Sequence, residues 1–197
     1  MLCKLKYFNE SKFISRIAKI NILLPNNINI RYINNILYFD NNIYFYELKI
    51  KKIILIIVKD KYISININKK YIKNKKELKF CKSYSGTIKS LISNIIFGLN
   101  FGFYKKIIIY GIGYKLNVEN NILIFNLGYS HLIKCKVPIN ILIKDYNNNE
   151  IILFSYDKEA LGNFCNEIKM LRKPDVYKGK GIRYDSDIIK IKNFRKK

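Results

Sequence analysis

Apolar positions along this chain change period in a repeating order. Over residues 21–67 they fall in short β-type runs, near 21–24, 28–32, 36–39, 43–48, 51–58 and 62–67. Alternation within them is weak, because isoleucine and tyrosine occupy both faces. No glycine precedes Gly86, so other residues must make the turns. Asn26-Asn27, Asn34-Asn35 and Asn41-Asn42 punctuate the runs, and after glycine asparagine best tolerates left-handed backbone. The lysine-rich stretch Lys69 to Lys82 reads as an exposed, solvated connection. From Thr87 to about Asn100 the period becomes helical, with Ile88, Leu91, Ile92, Ile95, Ile96 and Leu99 on one face. Ser85 or Thr87 is the expected cap and Gly102 the expected stop.

The plan then recurs. Strand-type segments run 105–110, 113–118, 122–127, 132–137, 139–144 and 150–155. A second helix is predicted from Lys158 to Leu171, capped by Asp157, with Leu161, Phe164, Ile168 and Leu171 on one face. Asn34-Asn35-Ile36-Leu37-Tyr38-Phe39 is echoed by Asn120-Asn121-Ile122-Leu123-Ile124-Phe125. The expected fold class is α+β: two duplicated small domains, each an antiparallel β-sheet packed with one α-helix. Residues 15–104 and 105–173 form them, with an N-terminal extension over 1–14 and a basic tail over 174–197.

Charge narrows the partner. With 197 residues, 49% of them hydrophobic, the chain carries a formal net charge of +23, which implies a polyanion that neutralises it. A membrane is a poor fit. The longest apolar run, Ile53 to Val58, is flanked by Lys51, Lys52 and Lys59 and falls far short of the roughly 20 residues a spanning helix needs. Heavy use of Ile, Asn, Lys, Tyr and Phe reads as drift in an AT-rich genome, which pushes arginine towards lysine. Residues 1–14 hold no long apolar core for a secretory signal and are short for an import presequence. Cys3, Cys81, Cys135 and Cys165 show no paired spacing, and the chain has one histidine, so free thiols are expected and no metal site.

Enzyme signatures fail on inspection. Gly111-Ile112-Gly113 opens like a dinucleotide fingerprint, but Leu116 stands where the third glycine belongs and no helix pattern follows. Gly179-Lys180 lacks the other residues of a phosphate-binding P-loop. His131 and Cys135 would lie roughly 13 Å apart on an extended strand. The expectation is no catalytic residue, no cofactor and no small-molecule substrate.

One constellation remains. Pro174-Asp175-Val176-Tyr177-Lys178-Gly179-Lys180-Gly181-Ile182-Arg183-Tyr184 alternates cations with glycines between tyrosines. Lys178, Lys180 and Arg183 suit phosphate neutralisation, Gly179 and Gly181 permit close backbone approach, and Tyr177 and Tyr184 can stack or meet sugar edges. Arg172 and Lys173 join them at the end of the second helix, where cations also favour the helix dipole. Folded RNA is read largely by shape, phosphate and 2′-hydroxyl, which this loop suits.

This segment resembles the C-terminal signature of the large-subunit ribosomal protein L6 family, bacterial and organellar type. Ser15-Arg16-Ile17-Ala18-Lys19 resembles that family's opening, and Gly86-Thr87-Ile88-Lys89-Ser90-Leu91-Ile92-Ser93-Asn94 its first long helix. Gly111-Ile112-Gly113-Tyr114 and Leu127-Gly128-Tyr129-Ser130-His131 resemble its second-domain strands. Leu132 and Val176 stand where the family usually carries proline. The resemblance implies the same two-domain fold and a structural constituent of the large ribosomal subunit. It would bind 23S-type rRNA near the factor-binding region and stalk base, beside neighbouring ribosomal proteins. A free basic RNA-binding or chaperone protein is the alternative. The expected compartment is the ribosome of an AT-rich organelle, plastid or apicoplast, with a mitochondrion or AT-rich bacterial cytoplasm as alternatives.

Overall fold

A computed structural model describes residues 14–41, 44–59, 61–72 and 74–192. Residues 1–13, with Cys3 and most of the expected extension, lie outside it, as do Asn42 and residues 193–197. The chain divides into two compact units between Asn100 and Phe101.

The first unit holds β1 (Ile22–Leu23), β2 (Asn29–Ile33), β3 (Ile36–Asp40), β4 (Phe45–Lys49), β5 (Ile54–Lys59), β6 (Tyr62–Ile67) and α1 (Lys75–Phe101). Its strands divide between two antiparallel sheets, ordered β1-β6-β5 and β2-β3-β4. Alternating positions turn inward: Leu37 and Phe39 from β3, Ile54 and Ile56 from β5, Ile63 and Ile65 from β6. They meet Ile88, Ile92, Ile96 and Leu99 of α1 in one apolar core.

The second unit repeats the order with β7 (Phe103–Tyr110), β8 (Lys115–Glu119), β9 (Ile122–Asn126), β10 (Ile133–Lys136), β11 (Leu142–Asn147), β12 (Glu150–Ser155) and α2 (Lys158–Leu171). A further strand, β13 (Gly181–Tyr184), extends it. The sheets are β10-β9-β8 and β11-β12-β7-β13, all antiparallel. Leu123 and Phe125 of β9 now occupy the places of Leu37 and Phe39, and Leu161, Phe164, Cys165 and Ile168 of α2 close the core.

The asparagine echo is the clearest mark of duplication. Asn34 and Asn35 have φ of 50° and 63°, and Asn120 and Asn121 have φ of 45° and 61°. Each pair therefore turns a two-residue hairpin of the kind that needs positive φ at both positions. The second asparagine of each pair also accepts a backbone hydrogen bond from the residue after or near the next strand, Ile50 on Asn35 at 2.8 Å and Val137 on Asn121 at 2.9 Å.

Two expectations are corrected. α1 starts at Lys75, well before Thr87, and runs 27 residues. Glu77 accepts from the Asn74 amide at 3.2 Å, closing half of a capping box, while Ser85 and Thr87 bond back to the carbonyls of Lys82 and Ser83 in mid-helix. Most of the stretch read as a connection is thus two helical turns. The chain also does not leave the second unit after Leu171. β13 returns to pair with β7, and Ile182 is fully buried in the second core.

α2 begins and ends as the pattern predicts. The Asp157 carboxylate caps it by accepting from the Glu159 amide at 2.8 Å. Gly102 stops α1 with φ of 70°, and a Cβ there would lie 2.1 Å from the Phe154 ring.

Candidate nucleic-acid interface

The glycine–cation segment is a closed loop between α2 and β13. Asp175 builds it: its carboxylate accepts from the amides of Tyr177 at 3.0 Å and Lys178 at 3.2 Å. The Asp175 carbonyl accepts from Gly179 at 2.9 Å, and its amide donates to Lys180 at 2.8 Å. These amides, Tyr177 first, hold the Asp175 carboxyl below the ordinary carboxylate range. Gly179 closes the turn at φ of 68°. Gly181 has φ of 138° and sits so near the chain entering the loop that a Cβ would come within 2.7 Å of the Lys173 carbonyl. The Lys192 amide donates to Val176 at 2.9 Å, tying the segment after β13 to the loop.

This frame presents Tyr177 and Lys178 exposed, with Lys180 half-buried beside them. Lys173 is exposed at the loop's entry. Arg183, Tyr184 and Arg172 pack against aromatic or cationic neighbours. Arg183 lies with its guanidinium carbon 3.4 Å from the Tyr110 ring centroid. Tyr184 is half-buried at the core edge between the ammonium groups of Lys105 at 4.7 Å and Lys169 at 4.5 Å, and burial pushes its phenol up. Asp187 accepts from Lys169 at 2.7 Å and from the Tyr184 amide at 3.1 Å. Arg172 ends α2 over the Tyr129 ring at 4.7 Å and the Tyr114 ring at 6.0 Å, while the Tyr129 hydroxyl donates to Leu171 at 3.1 Å.

Sequence reasoning missed Tyr110, Tyr114, Tyr129 and Asp175 as builders of this surface. Asp175 carried a signal, since an aspartate after proline favours a side-chain-bonded turn. The glycines around Tyr114 carried another. A Cβ at Gly111 would lie 2.5 Å from its ring and one at Gly128 3.2 Å. Gly111-Ile112-Gly113 is therefore a turn that makes room for a tyrosine.

The remaining candidates are His131 and Cys135. His131 is exposed in a turn and Cys135 half-buried on β10. Among the described residues no cluster of His, Cys, Asp and Glu is placed to hold a metal ion, and no helix is long and apolar enough to cross a membrane.

A duplicated α+β unit, a large positive charge and a cation-edged glycine loop together define a class of basic, duplicated two-unit protein. The family model of ribosomal protein L6 matches residues 110–185. A large ribosomal subunit protein uL6 of Thermosipho melanesiensis is 32% identical over 183 residues, covering 93% of this chain and 100% of its own. One from Karelsulcia muelleri is 37% identical over 180 residues, 89% of this chain and 95% of its own. A uL6c of Pyropia yezoensis is 41% identical over 121 residues, 61% and 67% of the two chains. The chain belongs to the ribosomal protein L6 family, and like that family it is a structural protein and not an enzyme.

Proposed function

We propose that this chain is a structural constituent of the large ribosomal subunit that binds 23S-type rRNA through the loop between α2 and β13. It would do so near the factor-binding region and stalk base, in contact with neighbouring ribosomal proteins. The observation that carries this is the Asp175-built loop, which holds Lys178 and Tyr177 out from a fixed backbone with Lys180 and Lys173 flanking them. A pre-formed loop spends little conformational entropy on binding, so its cations meet phosphates at low cost. Lys178, Lys180 and Lys173 neutralise the RNA backbone, and Tyr177 stacks or bonds to a sugar edge. Arg183, Arg172 and Tyr184 shape this surface, and the two arginines add positive charge to it. The uL6c relatives support a plastid-type ribosome as the site of action.

Sucrose-gradient sedimentation of native lysate, with and without a high-salt wash, tests the assignment. The chain is expected to travel stoichiometrically with large subunits and resist the wash. Sedimentation in light fractions would replace this reading with a free RNA-binding protein. Neutralising roughly 6–10 phosphates also implies a fall in affinity of about 10³–10⁵ between 50 and 200 mM salt.

A further inference from the structure

The extra turns of α1 place lysines where helix stability does not want them. Lys75 and Lys76 lie in the first turn, the positive end of the macrodipole, and the last turn carries no basic residue. Continuing along the helix, Lys75, Lys79, Lys82 and Lys89 follow at spacings that keep them along one edge, over about 21 Å at 1.5 Å per residue. Lys75 and Lys79 are exposed, and Lys82 and Lys89 are half-buried. The single acid of α1, Glu77, is turned to the Asn74 amide.

Beside the lysines runs a second row. Ser83, Thr87 and Ser90 are exposed and share a face by their spacing. Each donates its only hydroxyl proton inward: Ser83 to Phe80 at 2.9 Å, Thr87 to Ser83 at 3.2 Å and Ser90 to Gly86 at 3.1 Å. While these bonds hold, the oxygens present lone pairs outward and accept. A phosphate offers no proton to them, but a ribose 2′-hydroxyl does. A shallow hollow floored largely by Ile17 and Leu91 is edged by these hydroxyls, Lys82 and Ser15, whose amide donates to the Ser85 hydroxyl at 3.3 Å. The turn that follows Ser15 adds the exposed Arg16 and Lys19.

We propose that this face of α1 is a second RNA contact, in which Lys75, Lys79, Lys82 and Lys89 neutralise phosphates while Ser83, Thr87 and Ser90 accept hydrogen bonds from 2′-hydroxyls. Cations beside acceptors match double-stranded RNA, whose wide minor groove displays 2′-hydroxyls between phosphate rows. DNA satisfies only the lysines. The proposal rests on the reading of this chain as an rRNA-binding protein and assigns the first unit its own share of that binding.

Full-length protein is titrated with large-subunit rRNA over a series of salt concentrations, and with a short RNA duplex and the DNA duplex of the same sequence. Lys75→Gln, Lys79→Gln and Lys82→Gln together are expected to lower the salt slope on rRNA by about three. Ser83→Ala, Thr87→Ala and Ser90→Ala together are expected to leave the slope alone and bring the preference for RNA over DNA duplex towards unity. Both sets keep good helix formers, and far-UV circular dichroism checks that α1 persists. A triple lysine variant with an unchanged slope overturns the proposal. If Lys178→Gln with Lys180→Gln still weakens binding in that case, the rRNA reading survives it. If neither set matters and wild type shows no salt dependence, both readings fall.

Discussion

The Arg183 guanidinium lies 3.4 Å from the centroid of the Tyr110 ring, one residue on β13 and the other at the end of β7. A cation over an aromatic face is worth about 0.5–2 kcal/mol, and arginine's planar group suits it better than lysine's ammonium. Arg183 therefore fastens the strand as well as presenting charge. Arg183→Lys keeps the charge and loses the flat contact. Thermal denaturation should show the melting point lowered by a few degrees, with rRNA affinity within about twofold of wild type. An unchanged melting point would return Arg183 to a purely ligand-facing role.

Asp175 supports a prediction of opposite sign to the one charge alone makes. Removing an acid from a phosphate-binding loop should strengthen binding. Here the carboxylate holds the amides of Tyr177 and Lys178, so Asp175→Ala releases the loop and should weaken rRNA binding severalfold at constant salt. Tighter binding by the variant would show that the loop's shape does not matter. Its lowered pKa also gives a pH sign: the loop's order is present above the unfolded carboxyl pKa and is lost as pH falls through the folded one.

Ile182 separates a strand from a tail. Fully buried, it should cost about 2–5 kcal/mol when changed to alanine, measured by denaturant unfolding. A loose tail would cost nothing.

Cys165 is fully buried in α2, and burial pushes its thiol from 9.0 to about 11, with Lys105 opposing. Because the folded value lies above the unfolded one, this contribution is complete below pH 9.0 and is lost as pH rises towards about 11. The loss is on the order of 2–3 kcal/mol. Wild type should therefore lose more stability than Cys165→Ala over that interval in paired unfolding curves. At pH 8 a thiol reagent should modify Cys165 only as fast as the unit unfolds.

The repeated order of strands and helix was readable in the pattern, as was α2 with its Asp157 cap, because Leu161, Phe164 and Ile168 keep strict helical spacing. Asn34-Asn35 and Asn120-Asn121 were readable for a stereochemical reason, since few other residues accept positive φ twice in succession. The start of α1 was hidden because its inward positions there are Cys81 and Ser85, which do not look apolar beside so many lysines. β13 was hidden because it is four residues long and inseparable in composition from the loop before it. The chemistry of the loop was legible in Lys178 and Gly179. Its architecture was not, because the tyrosines that hold Arg172 and Arg183 lie far away in the chain.

β13 closes the side of β7 that β12 leaves open, and it is made of residues 181–184. Chains are synthesised from the N-terminus, so the first unit has all its strands long before the second does. During the interval, β7 exposes unpaired amides and carbonyls and an empty place for Ile182, a template for another strand. Premature release before Gly181 would leave that edge open permanently. The order of synthesis thus completes this edge of β7 only after every other described strand of the second unit has been made.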